Sequence, residues 1–231
     1  MPTITNTPEK LVLRLNISES LANSIRRSVN EVPTLAIDDV EIFKNDSALY
    51  DEVLALRLGL LPLKTEKSMT EKTKVEFKLT KKGPCTVYAS DLSGPGDILY
   101  PEMPLTIIKE NHKLELVATA VLGTGLQHSK HVPGLCYYRH LLEVKSTKDI
   151  DKIVQKSKSD FKPERLGQKW VCDLGDGEIT EIKKIDKDAI SDLPDLLFII
   201  ESYGTLPAKD ILSGAIKALI SNLKEFEKNL K

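Results

Sequence analysis

The chain has 231 residues, of which 41% are hydrophobic and 29% are charged. These values argue against a disordered chain and favour a globular protein long enough to bury a substantial core. Lysine and arginine number 33 against 34 acidic residues, so there is no surplus of cations for independent binding to DNA or RNA. No stretch approaches the roughly 20 apolar residues of a membrane span. The 3 cysteines are far apart and form no disulfide framework, so a cytoplasmic location is expected.

The N-terminal part of the chain passes from a strand pattern to a helix pattern. In residues 10–17, one side consists of Leu11, Leu13, Leu15 and Ile17 and the other of Val12, Arg14 and Asn16, which predicts a half-buried strand. Leu21, Ile25 and Val29 then recur at four-residue steps, and Pro33 stops this pattern. The spacing predicts a short amphipathic helix that follows the first strand.

A second strand and a second helix come next. Residues 34–43 have extended character, with Val40 and Ile42 alternating against acidic residues. A helix is then predicted to end at Gly59 and Pro62. Its apolar stripe is predicted to consist of Leu49, Val53, Leu56 and Leu60.

The middle of the chain differs from its C-terminal part. Residues 72–144 show strand patterns separated by turns that contain glycine and proline, which predicts a mostly β insertion. Residues 147–158 have helical spacing, and the polar residues up to Trp170 predict a loosely specified connector. The apolar run Leu196–Ile200 is typical of a central strand that is buried on both faces.

The last element has the clearest helical pattern. It begins near Pro207, a residue suited to a first helical turn, and its apolar stripe continues almost to Lys231. About 24 residues at ~1.5 Å each give a rod of about 36 Å, which is long for a domain of this size. Burial against a partner helix is one interpretation, and packing on the chain's own sheet is the other. The stripe consists of Ile211, Leu212, Ala215, Ile216, Leu219, Ile220, Leu223, Phe226 and Leu230.

Two stretches resemble a known family. Residues 21–29 read LANSIRRSV and are followed by VPTLAI and VEI, which is similar to a helix that runs through a proline into a strand. Residues 51–63 read DEVLALRLGLLPL, which resembles a helix that ends in an Arg-x-Gly-Leu-x-Pro-Leu turn. In this order and spacing, the two stretches resemble the alpha-type assembly subunits of cellular DNA-dependent RNA polymerases. This family includes the archaeal D-type subunits, the bacterial alpha N-terminal domain and the eukaryotic third-largest subunit.

Weaker similarities extend over most of the chain, with some departures. Residues 91–109, 118–133 and 201–204 resemble the family, and residues 146–192 match it least. Leu56 stands where many relatives have histidine, and His131 where many have tryptophan. Some relatives carry a ferredoxin-like domain in the connector, whose iron–sulfur clusters need closely spaced cysteines. Only Cys172 lies there, so no cluster and no other cofactor is predicted.

The resemblance implies an α+β fold with two domains. Residues 1–41 and 173–231 would form a discontinuous dimerisation domain. Residues 42–172 would form an inserted β-rich domain, with the connector 146–192 in place of the ferredoxin-like domain. These boundaries are expectations from the family.

The resemblance also implies a function and a set of partners. The chain would be a non-catalytic assembly subunit that forms a heterodimer with the smaller alpha-like subunit L. The pair would recruit the second-largest and then the largest polymerase subunit, and the small subunits N and P would bind at the periphery. Contact with DNA would occur only through the assembled enzyme, and no membrane contact is expected.

Two helices would form the pairing surface with subunit L. An interface of standard size buries about 800 Å² per side, and obligate interfaces are more apolar than others. Taken alone, each apolar stripe also fits an intramolecular core, so both interpretations stay open. The residues implied for this surface are Leu21, Ile25, Val29, Ile211, Ala215, Leu219 and Phe226.

A second set of residues is implied for docking the large subunits. Arg26 and Arg27 are about 100° apart on a helix, so both can project from its polar side. From the residues alone, this pair is a solvated face. The resemblance implies a contact with the second-largest subunit, where a guanidinium group pairs with a carboxylate or with backbone carbonyls. Arg57, His128 and Lys130 are assigned to the docking of the large subunits on the same resemblance.

Two alternative functions stay open. His128, Lys130, His131 and His140 suggest a metal site and thus a small metal-dependent hydrolase, but no carboxylate or cysteine completes the ligand set. A homodimeric alpha-like structural module is the other alternative. The sequence contains no glycine-rich phosphate loop and nothing that resembles a nucleophile with its base. No catalytic residue and no metal ligand is therefore assigned.

Overall fold

The computed structural model describes residues 3–70 and 72–230, which form eleven strands and five α-helices. The strands are β1 (Thr3–Asn6), β2 (Lys10–Leu15), β3 (Thr34–Asn45), β4 (Lys74–Lys82), β5 (Cys85–Tyr88), β6 (Pro104–Ile108), β7 (Lys113–Gly123), β8 (Gly134–Lys145), β9 (Glu164–Leu166), β10 (Lys169–Cys172) and β11 (Ile190–Ser202). The helices are α1 (Glu19–Ser28), α2 (Asp51–Gly59), α3 (Lys148–Lys156), α4 (Asp176–Ile185) and α5 (Ala208–Asn229). None of these helices is both long enough and apolar enough to span a bilayer.

The larger sheet has six strands in the order β1-β2-β11-β8-β10-β9. Its central strand β11 pairs antiparallel with β2 and β8, so that Phe198 lies opposite Leu13 and Tyr138. Every residue of Leu196–Ile200 is at most 1% exposed. Side chains of a strand alternate between its two faces, so this burial requires a cover on both faces of the sheet. The prediction of a doubly buried central strand is confirmed.

One face of the sheet is covered by α1 and α5. Ala22 of α1 and Ile211 and Ala215 of α5 form one apolar cluster with Leu13 and Phe198 of the sheet. Both helices were predicted from their apolar periodicity, and both are confirmed.

The opposite face is covered by an irregular segment. Leu197 and Ile199 point to this side and cluster with Val12 and Leu141 around the ring of Phe161. Phe161 is only 3% exposed, although it belongs to residues 157–163, which form no helix or strand. This segment between α3 and β9 is a strap across the sheet.

The region around the connector contains more regular structure than its polar residues predict. The helix predicted over residues 147–158 is present as α3, but the chain continues through β9, β10 and α4. Ile150 and Val154 of α3 and Ile182 of α4 are buried in a separate cluster with Trp170 and Cys172 of β10. The apolar residues of α3 follow the helical spacing seen in the sequence, whereas Trp170, Cys172 and Ile182 form no periodic pattern with them and join the cluster only in the folded chain.

The second sheet contains β3, β7 and β4 in that order, and β5 and β6 form a separate two-stranded ribbon. Phe77 of β4 and Leu116 of β7 are buried in one apolar cluster with Leu54 and Leu58 of α2. The predicted β insertion is confirmed for β4 to β7.

The predicted apolar stripe of α2 lies on the wrong face of the helix. Leu56 and Leu60 are 58% and 55% exposed, whereas Leu54 and Leu58 are fully buried. Leucines occupy both faces of this helix, so its sequence is compatible with two stripes. Packing against the second sheet decides which of them is inside.

The two sheets do not divide at the domain boundaries that the family resemblance implies. β8 falls within residues 42–172, yet it pairs with β11 in the six-stranded sheet. β3 begins at Thr34, before the expected boundary, so the second sheet spans residues 34–123. Antiparallel sheets with separate helices make this an α+β fold. The division into two domains stays a prediction.

Candidate functional site

The two helices assigned to partner binding lie side by side. The Ser18 hydroxyl caps α1 by accepting a hydrogen bond from the amide of Leu21 at 3.3 Å, and Glu19 in the first turn complements the helix dipole. Near the far end of α1, Asn222 of α5 donates from Nδ2 to Oε2 of Glu31 at 2.7 Å. The helix α5 therefore passes along α1 and continues beyond it.

Three of the seven residues assigned to pairing lie in the chain's own core. Val29, Ile211 and Ala215 are at most 2% exposed, because α5 packs on α1 and the sheet through them. Gly214 permits this close approach, since a Cβ atom there would lie 3.0 Å from a methyl group of Val32. Val29, Ile211 and Ala215 present no surface to a partner.

The other four residues remain accessible. Leu21 and Phe226 are 45% and 64% exposed, Ile25 is partly buried against the core cluster, and Leu219 is partly buried. These four side chains can contact another chain, and their role in pairing stays a prediction.

The exposed apolar surface of α5 is larger than the residues first assigned to it. Its side chains follow one another at steps of three or four residues, as on one side of a helix. They belong to the stripe seen in the sequence, but periodicity alone did not separate the outer side chains from the inner ones. This surface, the α5 seam, consists of Ile216, Ile220, Leu223, Phe226 and Leu230, which are between 39% and 71% exposed.

Arg26 and Arg27 differ in their surroundings. The Arg26 guanidinium donates from Nε and Nη2 to Oδ1 of Asn23, at 3.1 and 2.8 Å, within the same helix. Arg27 is exposed and has no ion pair or hydrogen bond from its side chain to any described residue. Arg27 is thus the cation on α1 that is free to meet a carboxylate.

Arg57 ties α2 to the two-stranded ribbon. Its Nη1 donates to the backbone carbonyl oxygen of Leu105 at 2.9 Å, which occupies one side of the guanidinium group. Its position at the last turn of α2 also suits the negative end of the helix dipole. Arg57 therefore has a local structural role beside the docking role assigned to it.

Lys130 is held within the chain. Its Nζ lies 2.6 Å from Oδ1 of Asp38 and 3.0 Å from the carbonyl oxygen of Ile37. The Lys130 ammonium group lowers the pKa of Asp38 below its usual value. His128 accepts a hydrogen bond at Nδ1 from the Lys130 amide at 3.1 Å and so caps a short 3-10 turn. With Leu56 and Leu60, His128 and Lys130 line a cavity of about 290 Å³.

His131 is a buried structural residue. It is 3% exposed, and its Nδ1 lies 2.8 Å from the carbonyl oxygen of Thr34. Burial disfavours the charged ring and lowers its pKa, and the neighbouring Lys130 acts in the same direction. A Cβ atom at Gly123 would lie 2.5 Å from Nε2 of His131, so the ring requires glycine at that position.

His140 joins three parts of the fold. From β8, its Nδ1 lies 2.8 Å from the carbonyl oxygen of Leu193 and its Nε2 lies 2.9 Å from Oε1 of Glu19. Both partners are acceptors, so the two contacts together require a proton on each ring nitrogen. The contacts to Leu193 and Glu19 raise the pKa of His140.

The residues suggested for a metal site do not form one. Among residues 3–70 and 72–230, no group of three or more His, Cys, Asp or Glu side chains is arranged to hold a metal ion. His128, His131 and His140 each contact a backbone group or a carboxylate instead. The metal-dependent hydrolase therefore has no supporting geometry in the described residues.

The cysteines are free thiols on three different strands. Cys85 lies on β5, and Cys136 and Cys172 are buried on β8 and β10. Burial raises the pKa of Cys136 and of Cys172 to about 12. Both buried thiols are therefore protonated near neutral pH, whereas a metal ligand or a nucleophile would need a thiolate.

Known proteins match the chain along most of its length. The family model described as RNA polymerase Rpb3/RpoA insert domain matches residues 24–136. The DNA-directed RNA polymerase subunit Rpo3 of Pyrococcus horikoshii is 31% identical over 237 residues, covering 93% of this chain and 91% of that protein. The protein of the same name from Natronomonas pharaonis is 31% identical over 91% of this chain and 89% of that protein. The one from Methanocaldococcus jannaschii is 38% identical over 60% of this chain and 73% of that protein.

Proposed function

The chain belongs to the Rpo3 family of DNA-directed RNA polymerase subunits, and from this membership we propose that it is a non-catalytic assembly subunit of such a polymerase. It would be the counterpart of the archaeal D-type subunits. The metal-binding carboxylates for nucleotidyl transfer would belong to the large subunits, and this chain would carry no active site and no iron–sulfur cluster. DNA would be contacted only through the assembled enzyme, in the cytoplasm.

In this proposal, α1 and the α5 seam pair with the smaller alpha-like subunit L. The observation that carries the proposal is the α5 seam, where four large apolar side chains of the helix and Leu230 at its C-cap remain between 39% and 71% exposed. Complete burial of one such side chain contributes about 1.5–3 kcal/mol. A partner helix laid along the seam would remove these side chains from water and thus drive association.

The heterodimer would then serve as the platform for the large subunits. Arg27, exposed on α1, supports a contact with a carboxylate of the second-largest subunit, and Arg26 lies next to it. The docking region would also include Arg57, His128 and Lys130. The parts of these side chains that make no contact within the chain would contact the large subunits. The largest subunit would follow, and subunits N and P would bind at the periphery.

Co-expression with an L-type subunit tests the pairing. Size-exclusion chromatography with light scattering is expected to give a one-to-one heterodimer for the unmodified chain. Leu223→Asp should weaken pairing by about 100-fold or more, because it would bury an unpaired charge in the interface. Ile185→Asp is the matched control, since Ile185 is also exposed, at 50%, but lies on α4 away from the seam.

Three other outcomes have distinct meanings. A stable monomer that does not bind the L-type subunit would contradict the proposed function. A homodimer that excludes the L-type subunit would favour the homodimeric structural module. Undiminished heterodimer formation by Leu223→Asp would mean that pairing uses another surface.

A further inference from the structure

One side of the helix α5 packs in the core of the chain, and another side is exposed to solvent. With about 100° of rotation per residue, Ala215 and Ile211 point to the side that packs on the sheet. Ile216, Ile220 and Leu223 of the seam are centred about 130° further around the helix. The apolar surface of α5 therefore begins at the side buried in the core and continues around the helix to a side that is exposed to solvent.

A row of cations borders the open side of the seam. Lys217, Lys224 and Lys228 lie about 80–120° beyond Ile216 around the helix, so the three side chains project along one flank. All three are exposed, and none of them has a carboxylate partner among the described residues. The first turn of α5 differs, because Asp210 there is paired with Lys67 at 2.9 Å.

The carboxylates of α5 do not neutralise this row. Glu225 lies about 60° beyond the lysine flank, and neither its carboxylate nor any other among the described residues is within ion-pair distance of the three ammonium groups. Glu227 lies within the arc of the seam and has an interaction of its own inside the chain. The flank is therefore a strip of three positive charges, without partners in the described part of the chain, beside an apolar strip.

We infer that the helix that covers the α5 seam carries a matching row of carboxylates opposite Lys217, Lys224 and Lys228. This inference rests on the proposed function, and it assigns the chemistry of the partner surface. Apolar contacts along the seam provide affinity, whereas complementary charges at the edge of such a pair select the partner and its orientation and accelerate association.

The same row disfavours a second copy of this chain as the occupant. In an antiparallel pair of identical helices related by a twofold axis, like flanks face each other. The three lysines of one copy would then oppose the three lysines of the other, and like charges held in this way are repulsive. An acidic partner helix replaces that repulsion with attraction.

The test uses the full chain and the full-length smaller alpha-like polymerase subunit of the same organism. In one variant, Lys217, Lys224 and Lys228 are all replaced by glutamate, and in a second they are all replaced by glutamine. The control replaces Lys183, Lys184 and Lys187 of α4 and the turn after it by glutamate. These three lysines are also exposed, so the control changes the net charge equally.

Association rates are measured by stopped flow at low and at high salt. The unmodified chain is expected to associate more slowly as salt rises. The glutamate variant should associate at least about tenfold more slowly at low salt and accelerate as salt rises, with the glutamine variant between the two. The α4 control should match the unmodified chain.

Two results would overturn the inference, and they are distinguishable. If the unmodified chain pairs with the smaller alpha-like protein and the glutamate variant has the same rate and salt dependence, the partner carries no facing carboxylates. If the unmodified chain fails to pair with that protein, the proposed function fails and the inference fails with it. Circular dichroism of each variant verifies that α5 remains helical.

Discussion

Replacing Phe161 with alanine measures how much of the six-stranded sheet depends on the strap. The phenylalanine ring is 3% exposed and covers Val12, Leu197 and Ile199 on the face opposite α1 and α5. The guanidinium carbon of Arg14 lies 5.8 Å from the ring centroid, which adds a cation–π contact. An aromatic side chain buries about 200 Å², which at ~25 cal/mol per Å² corresponds to an upper bound of about 5 kcal/mol.

The expected loss of unfolding free energy is about 3–4 kcal/mol, because alanine retains part of the contact and the strap can partly collapse. Urea unfolding of the full chain, followed by the fluorescence of its single tryptophan, Trp170, measures this loss. Phe43→Ala is the control, since Phe43 is 64% exposed and its loss should cost less than about 0.5 kcal/mol. A loss below about 1 kcal/mol for Phe161→Ala would refute the strap as an essential cover of the sheet.

Two further predictions concern histidines within the fold. The pKa of His140 is raised by its contacts, so its stabilisation is fully present below about pH 6.5 and is lost as pH rises through the raised value. The destabilisation caused by His140→Gln should therefore be about 1 kcal/mol larger at about pH 5.5 than at about pH 8.5 in urea unfolding, and a pH-independent difference would contradict a charged bridge to Glu19. Gly123→Ala should cost about 1–3 kcal/mol in the same assay because its Cβ would overlap the buried ring of His131. Gly177→Ala on α4, where a Cβ meets no atom within 4 Å, should be neutral or stabilising, and equal effects of the two glycine changes would contradict the overlap.

In the proposed pairing, affinity and partner selection would come from different side chains. The α5 seam would supply apolar area, which any suitable amphipathic helix could cover. The lysine flank beside it would add a requirement for a particular charge pattern on the partner. In a cell that contains many apolar surfaces, such a flank would restrict association to the intended chain.

The candidate site was only partly predictable from the residues. Leu21 and Phe226 were assigned to an exposed pairing surface and are exposed, whereas Val29, Ile211 and Ala215 were assigned to it and are in the core. The stripe on α5 is wide enough to serve a core and a partner together. Its division depends on where α1 and the sheet lie, and a one-dimensional pattern does not contain that information.

Contacts between residues that are distant in the sequence could not be predicted from its pattern either. Lys130 is paired with Asp38, and the two residues are separated by 92 positions in the chain. In the same way, the buried face of α2 is chosen by contacts with Phe77 and Leu116 of the second sheet, although leucines on both of its faces suit burial equally.

The sequence by itself determined the type of the main elements and the family. Helix and strand periods are local properties, so α1, α5 and the central strand β11 were visible in the order of apolar residues. Only the tertiary structure decided which side of each helix is inside, how the connector folds and which cations of the described residues stay unpaired. These features depend on residues that are distant in sequence and become neighbours only when the chain packs.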